Sequence, residues 1–183
     1  IGPLGEWIIG EACRQGQRWH DEGLPPLTIA VNVSPRQFQL TDLVGCIASA
    51  LKETGYSAAL LELEITESAL AEREDEALLT MRRLRDLGLR LAVDDFGTGY
   101  SSLAHLRALP FDRIKIDKSF VTSLIDNPES AAIVNAIARL GDNLSMPVTA
   151  EGIEVGEIEE RLRQLGVHKG QGWLYGRPLP MTS

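Results

Sequence analysis

Short apolar runs alternate with amphipathic stretches along the whole chain, and this alternation limits the possible folds more than any other feature. Residues 4 to 22 place Leu4, Trp7, Ile8, Ala12 and Trp19 at helical spacing and stop at Gly23. LTIAVNV (27 to 33) reads as a strand. Leu43, Ile47 and Leu51 mark a helix ended by Gly55, and LLELEI (60 to 65) a second strand. Ala77, Met81, Leu84 and Leu87 give a helix stopped by Gly88, ahead of the strand LRLAV (89 to 93). Leu103 and Leu106 suggest a short helix before the strand FDRIKI (111 to 116). Ile133, Ile137, Leu140 and Leu144 form a long helix before PVTA (147 to 150). Ile158, Leu162 and Leu165 form another before Gly166, with a last short strand near Gly170 to Leu174.

Strands that alternate regularly with helices imply an α/β fold with a parallel, helix-covered sheet. A TIM-like (β/α) barrel is the first expectation and an open doubly wound sheet the second. No GxGxxG or Walker-type loop follows a strand, which weakens the second. Barrels run to about 250 residues and seldom below about 200. Six units in 183 residues therefore suggest one barrel domain over 1–183 that is incomplete at the N-terminus. The chain opens on Ile1 and not on Met, and is expected to be a piece of a longer protein.

The net charge of −8 argues against a polymer of nucleic acid or an anionic membrane as the partner. An anionic ligand would need a bound cation to attract it. No apolar run approaches the ~18 residues of a membrane span, and no signal-peptide pattern opens the chain. Cys13 and Cys46 lack the spacing of a zinc site and read as buried thiols of a reducing compartment. His20, His105 and His168 are scattered, which disfavours a histidine-based metal site.

Every strand delivers polar residues at or near its C-terminal end: Asn32, Glu64, Asp94 with Asp95, Lys115 with Asp117, Glu151, and Gln171. In a parallel barrel those ends converge on the face that carries active sites. The pair Asp94-Asp95 in AVDDFGTGYSSL is the sharpest case. Neighbouring side chains of a strand point to opposite faces, so the two can share a site only where the strand ends and the backbone turns. Adjacent carboxylates resist ionising together unless a cation lies between them. Oxygen ligands without His or Cys favour Mg²⁺ or Mn²⁺. One Asp shared by two ions about 4 Å apart, with a bridging water, would suit hydrolysis of a phosphate ester. Lys115 could orient that water or offset charge on a phosphoryl oxygen. Taken singly, each residue has a plainer reading. Asp94 could cap a helix, Asn32 could form a turn before Ser34-Pro35, and Glu64 and Glu67 could be solvated turn carboxylates. Lys115 could be one outward position of a strand, and Gly152 and Gly172 could serve tight turns. It is the agreement of six stretches that favours a site.

NVSPRQF, LELEITES, VDDFGTGYSSL, IKIDKSF, AEGIE and QGWLYGRPL resemble, in order and spacing, the EAL-domain phosphodiesterases of bacterial cyclic di-GMP signalling. The resemblance runs from about Pro3 to Pro180. It implies a TIM-like barrel that hydrolyses cyclic di-GMP to linear pGpG with two Mg²⁺ or Mn²⁺ ions. It assigns Asn32, Glu64 and Asp94 to one metal, and Asp94, Asp95 and Glu151 to the second. Lys115 matches the lysine that contacts the catalytic water, with Glu151 beside it in the catalytic set. Gln171 and Glu154 match substrate-side positions, and Glu67 matches the glutamate that anchors the DFGTGYSS loop. The resemblance further implies a cytoplasmic domain, a homodimer, and sensor or GGDEF-type domains in a parent protein that could itself be attached to a membrane.

One element of the family pattern is missing. The Glu-Ala-Leu motif, whose Glu is a metal ligand, would fall upstream of Ile1. Glu76-Ala77-Leu78 spells the same letters but lies downstream of Asn32 and Glu64, in a helical stretch, and is read as a decoy with Glu76 solvated. At GVHKGQG, Val167-His168 stands where active relatives often carry Cys-Asp, a change expected to be tolerated. Two other functions compete with the hydrolase. One is a degenerate, non-catalytic EAL-type domain that binds cyclic di-GMP or a protein partner. The other is a Mg²⁺-dependent barrel of enolase type with Lys115 as base.

Overall fold

A computed structural model describes residues 2–40, 42–69, 74–98, 106, 108–167 and 169–179. Leu103 and most of the GTGYSS loop lie outside these residues, as do His105 and His168. The chain divides into two compact units, Ile1–Val93 with Ser101–Asp112, and Asp94–Tyr100 with Arg113–Ser183.

The first unit opens with helix α1 (Gly2–Asp21), strand β1 (Ile29–Val33), helices α2 (Pro35–Leu40) and α3 (Leu43–Thr54), strand β2 (Leu61–Thr66) and helix α4 (Glu74–Asp86). Helix α3 is bounded as its sequence suggests. The Asp42 carboxylate accepts a hydrogen bond from the Gly45 amide at 3.0 Å, and Gly55 closes the helix at φ 74°. Helix α2 was not anticipated, yet its signal is a capping box with proline in the first turn. Ser34 and Gln37 satisfy each other: the Gln37 amide donates to Ser34 Oγ at 3.3 Å and the Ser34 amide to Gln37 Oε1 at 3.1 Å. Strand β2 is buried on both faces, as strands of helix-covered parallel sheets are. Leu61, Leu63 and Ile65 are fully buried, each contributing about 1.5–3 kcal/mol. Glu62 and Glu64 are buried between them.

Strand β3 (Arg90–Phe96) begins in the first unit and ends in the second. The second unit continues with β4 (Arg113–Ile116), α5 (Lys118–Thr122), α6 (Pro128–Leu144), β5 (Val148–Ala150), α7 (Gly156–Gln164) and β6 (Lys169–Gly170). Asn127 caps α6 through the Glu129 amide, with Pro128 in its first turn. Helix α5, capped by Asp117, was also not anticipated, because five residues are too few to show a helical period. The sixth strand ends at Gly170, short of the expected Leu174. Beyond it the Ile153 amide donates to the Gln171 carbonyl at 3.1 Å and the Leu174 amide to the Ile153 carbonyl at 3.0 Å, which turns the chain back. Gly172 permits that approach, since a Cβ there would lie 2.1 Å from the Ile153 carbonyl oxygen.

The six strands run in the order β1-β2-β3-β4-β5-β6, with parallel pairing in β1–β2, β4–β5 and β5–β6. A doubly wound sheet reverses direction at a switch point, whereas a (β/α) barrel adds each strand beside the last. The unbroken sequential order is the barrel's. Cys13 is buried, and burial pushes its thiol up to about 11; Cys46 is half-buried and shifted the same way by the same cause. Both are free thiols of low reactivity. Among the described residues no helix is long and apolar enough to cross a membrane.

Candidate active site

In the second unit three strand ends bring Asp94, Lys115 and Glu151 together. Lys115 sits in β4, is 3% exposed, and its register partner on β5 is Thr149. Its Nζ lies 2.5 Å from Glu151 Oε1 and 3.3 Å from Asp94 Oδ1. Glu151 is held at the end of β5 by its own amide, which donates to the Ile116 carbonyl at 3.2 Å. One carboxylate oxygen of Asp94 and one of Glu151 lie within 4.8 Å of each other. Asp94 is 7% exposed, and its Oδ1 accepts no hydrogen bond. At 3.3 Å the lysine offsets the charge of that oxygen without saturating it, while Glu151 takes the short contact. A buried carboxylate oxygen with unfilled acceptor capacity beside a second carboxylate is a donor set suited to a hard divalent cation.

The expectation that the strand ends at Val93 is corrected here: β3 runs through Asp94 and Asp95 to Phe96. The two carboxylates still escape strict alternation because Asp95 adopts φ 54°. That left-handed conformation costs a non-glycine residue about 1–2 kcal/mol, least for Asp and Asn, and such strain gathers at functional sites. Burial, then the neighbouring Asp94 charge, push the Asp95 carboxyl above the usual carboxylate range, and its hydrogen bond with Asp117 adds to the shift. Burial also opposes ionisation of Asp117, yet the Ser119 hydroxyl and amide both donate to it and hold it below its ordinary value. Of the two, Asp95 is therefore the weaker acid. The sequence marks Asp117 only as a polar strand end; its contact with Asp95 was not foreseeable, because it depends on the backbone turn at Asp95.

Gln171 and Glu154 line a cavity of about 840 Å³ together with Glu151. Gln171 is fixed from behind, its amide donating to the Ala150 carbonyl at 2.9 Å. Gly152 takes φ 71° in the turn between Glu151 and Glu154.

In the first unit Asn32 and Glu64 are register partners in the C-terminal halves of β1 and β2. Glu64 is buried and Asn32 exposed. Glu67 follows β2 in a short 3₁₀ turn, and its buried Oε2 has no hydrogen-bond partner among the described residues. The loop it is expected to anchor lies largely outside them. Glu76 is exposed in α4, away from any strand end, as the decoy reading expects. Glu76→Ala is predicted to shift stability by no more than about 0.5 kcal/mol and to leave turnover unchanged. A loss of activity in that variant would mean that the motif has been misplaced.

The sequence pattern of the EAL domain family matches residues 1–178. The bifunctional diguanylate cyclase/cyclic di-GMP phosphodiesterase MucR of Pseudomonas aeruginosa is 42% identical over 180 residues, covering 98% of this chain and 26% of that protein. The chain spans between 22% and 28% of the length of the curated relatives it matches. A solved PaMucR phosphodiesterase in complex with c-di-GMP is 42% identical with a TM-score of 0.94, over 97% of this chain and 72% of that one. A manganese/cy-diGMP complex of Klebsiella pneumoniae BlrP1 is 29% identical with a TM-score of 0.83, over 94% of this chain and 45% of that one. These matches fix the fold as that of the TIM-like EAL structures, and the chain belongs to the EAL domain family.

Proposed function

We propose that this domain hydrolyses cyclic di-GMP to linear pGpG with two divalent cations, Mg²⁺ or Mn²⁺. The observation that carries the reading is the Asp94–Lys115–Glu151 cluster, with Asp94 and Lys115 buried and the Asp94 oxygen unsaturated, in a chain of the EAL family. Asn32, Glu64 and Asp94 are assigned to one ion, and Asp94, Asp95 and Glu151 to the other. Bound ions supply positive charge to the phosphoryl oxygens and lower the pKa of coordinated water. The protein's own residues do the rest. Lys115 orients the attacking water and offsets charge on the phosphoryl group, and Glu151, the short-contact partner of its ammonium, receives the water's proton. One water is consumed and one P–O3′ bond breaks, which leaves the phosphate on the 5′ oxygen of pGpG. Gln171 and Glu154 contact the nucleotide from the cavity wall, and Glu67 anchors the loop that follows Phe96. A cytoplasmic setting, a homodimer and attached sensor or GGDEF-type domains belong to the same proposal.

The test is a product assay on the full-length protein. With Mg²⁺ or Mn²⁺, chromatography should show cyclic di-GMP converted to pGpG, and a chelator should stop the conversion. A folded protein that releases no pGpG would overturn the proposal. Tight nucleotide binding that survives chelation without turnover would establish the non-catalytic alternative instead.

A further inference from the structure

The cavity that holds Glu151, Glu154 and Gln171 has an aromatic wall that the proposed hydrolysis does not use. Trp173 lines it and is 56% exposed. It sits in the turn after Gly172, and the Arg177 guanidinium lies over its ring, 4.9 Å from the centroid. Leaving the largest apolar side chain half in water is unfavourable unless something covers it. The other aromatic of the turn is already engaged. The Tyr175 hydroxyl donates to Glu159 Oε1 at 3.2 Å, and a Cβ at Gly170 would lie 3.0 Å from that hydroxyl oxygen. Trp173 is not tied down in that way. Its backbone is fixed instead by the neighbouring Gly172, pressed against Ile153, and by the Leu174 amide on the Ile153 carbonyl.

We infer that Trp173 is a stacking platform for a guanine base of the substrate, with Arg177 steadying the indole by a cation–π contact. The inference rests on the proposed function and deepens it. An indole ring offers a base a flat face, and a neighbouring guanidinium favours such stacks. The ring shares its open cavity with Gln171 and Glu151, so a base held there keeps its phosphate beside the same residues. Stacking of this kind is worth about 1–3 kcal/mol per base. It acts on the bound substrate and on the transition state alike, so its loss should appear in KM and not in kcat.

The experiment measures kcat and KM for cyclic di-GMP with the full-length protein, Trp173→Ala and Trp173→Phe. The expected result is a KM raised about 10-fold in Trp173→Ala, with kcat within about 3-fold of wild type and Trp173→Phe restoring most of the affinity. A KM within about 2-fold of wild type in Trp173→Ala, or an equal loss in Trp173→Phe, would overturn the inference while leaving the hydrolase reading intact. A fall in kcat at constant KM would also overturn it. If wild type neither binds nor turns over cyclic di-GMP, the proposed function falls first and this inference with it.

Discussion

Asp94→Ala is expected to abolish turnover while leaving the metal-free protein as stable as wild type or more so. Asp94 is buried beside a second carboxylate, and its Oδ1 accepts no hydrogen bond. Removing an acceptor with unfilled capacity forfeits little, and Lys115 keeps its 2.5 Å contact with Glu151. The variant also relieves Asp95 of the adjacent negative charge that helps to push its carboxyl upward. What would disappear is the carboxylate that the proposed function assigns to both cations. The loss in kcat/KM should reach at least ~10³-fold, about 4 kcal/mol of barrier. Thermal melts separate this from damage to the fold. Wild type should gain about 2.7 kcal/mol from Mn²⁺ at 100 times its Kd, and Asp94→Ala should gain almost none. A variant that still responds fully to Mn²⁺ would remove Asp94 from the ligand set.

Much of this site was legible before any coordinates, for a reason that lies in the topology. Within the second unit the parallel strands β4 and β5 deliver their C-terminal ends to the same edge, so order along the chain becomes position in space. The strands that carry or precede Asn32, Glu64, Lys115 and Glu151 were legible because apolar residues mark each of them. What escaped was whatever depends on a single backbone angle or on a turn. The strand through Asp94 was cut short because Asp95 continues the ladder while its φ of 54° redirects the chain. The pairing of Asp95 with Asp117 follows from that turn and leaves no periodic trace. Trp173 falls within the strand expected near Gly170 to Leu174, which ends instead at Gly170. The close approach of Gly172 to Ile153, which ends the strand, has no signature beyond the glycine itself. Helix α2 is a different kind of miss: its Ser34–Gln37 capping box was present in the sequence and was overlooked in favour of a proline turn.

Lys115→Ala is expected to damage the metal-free fold and the reaction by separable routes. Lys115 is 3% exposed, and its ammonium is the positive charge that contacts both Asp94 and Glu151. Without it, two carboxylates within 4.8 Å face each other in a buried site. Breaking a buried ion pair from one side costs about 3–5 kcal/mol, because the remaining charge has lost its partner. A divalent cation bound by the same oxygens would replace the missing charge, so Mn²⁺ should raise the melting temperature of Lys115→Ala more than that of wild type. Turnover should nonetheless stay at least ~10²-fold lower in the metal-saturated variant, because the cation restores neutrality but not the donor that orients the water. This pairing of outcomes discriminates between roles. A lysine that merely neutralised its neighbours would give a variant whose activity recovers along with its stability once Mn²⁺ is added. A lysine that positions the nucleophile gives recovery of the fold alone, with the deficit remaining in kcat.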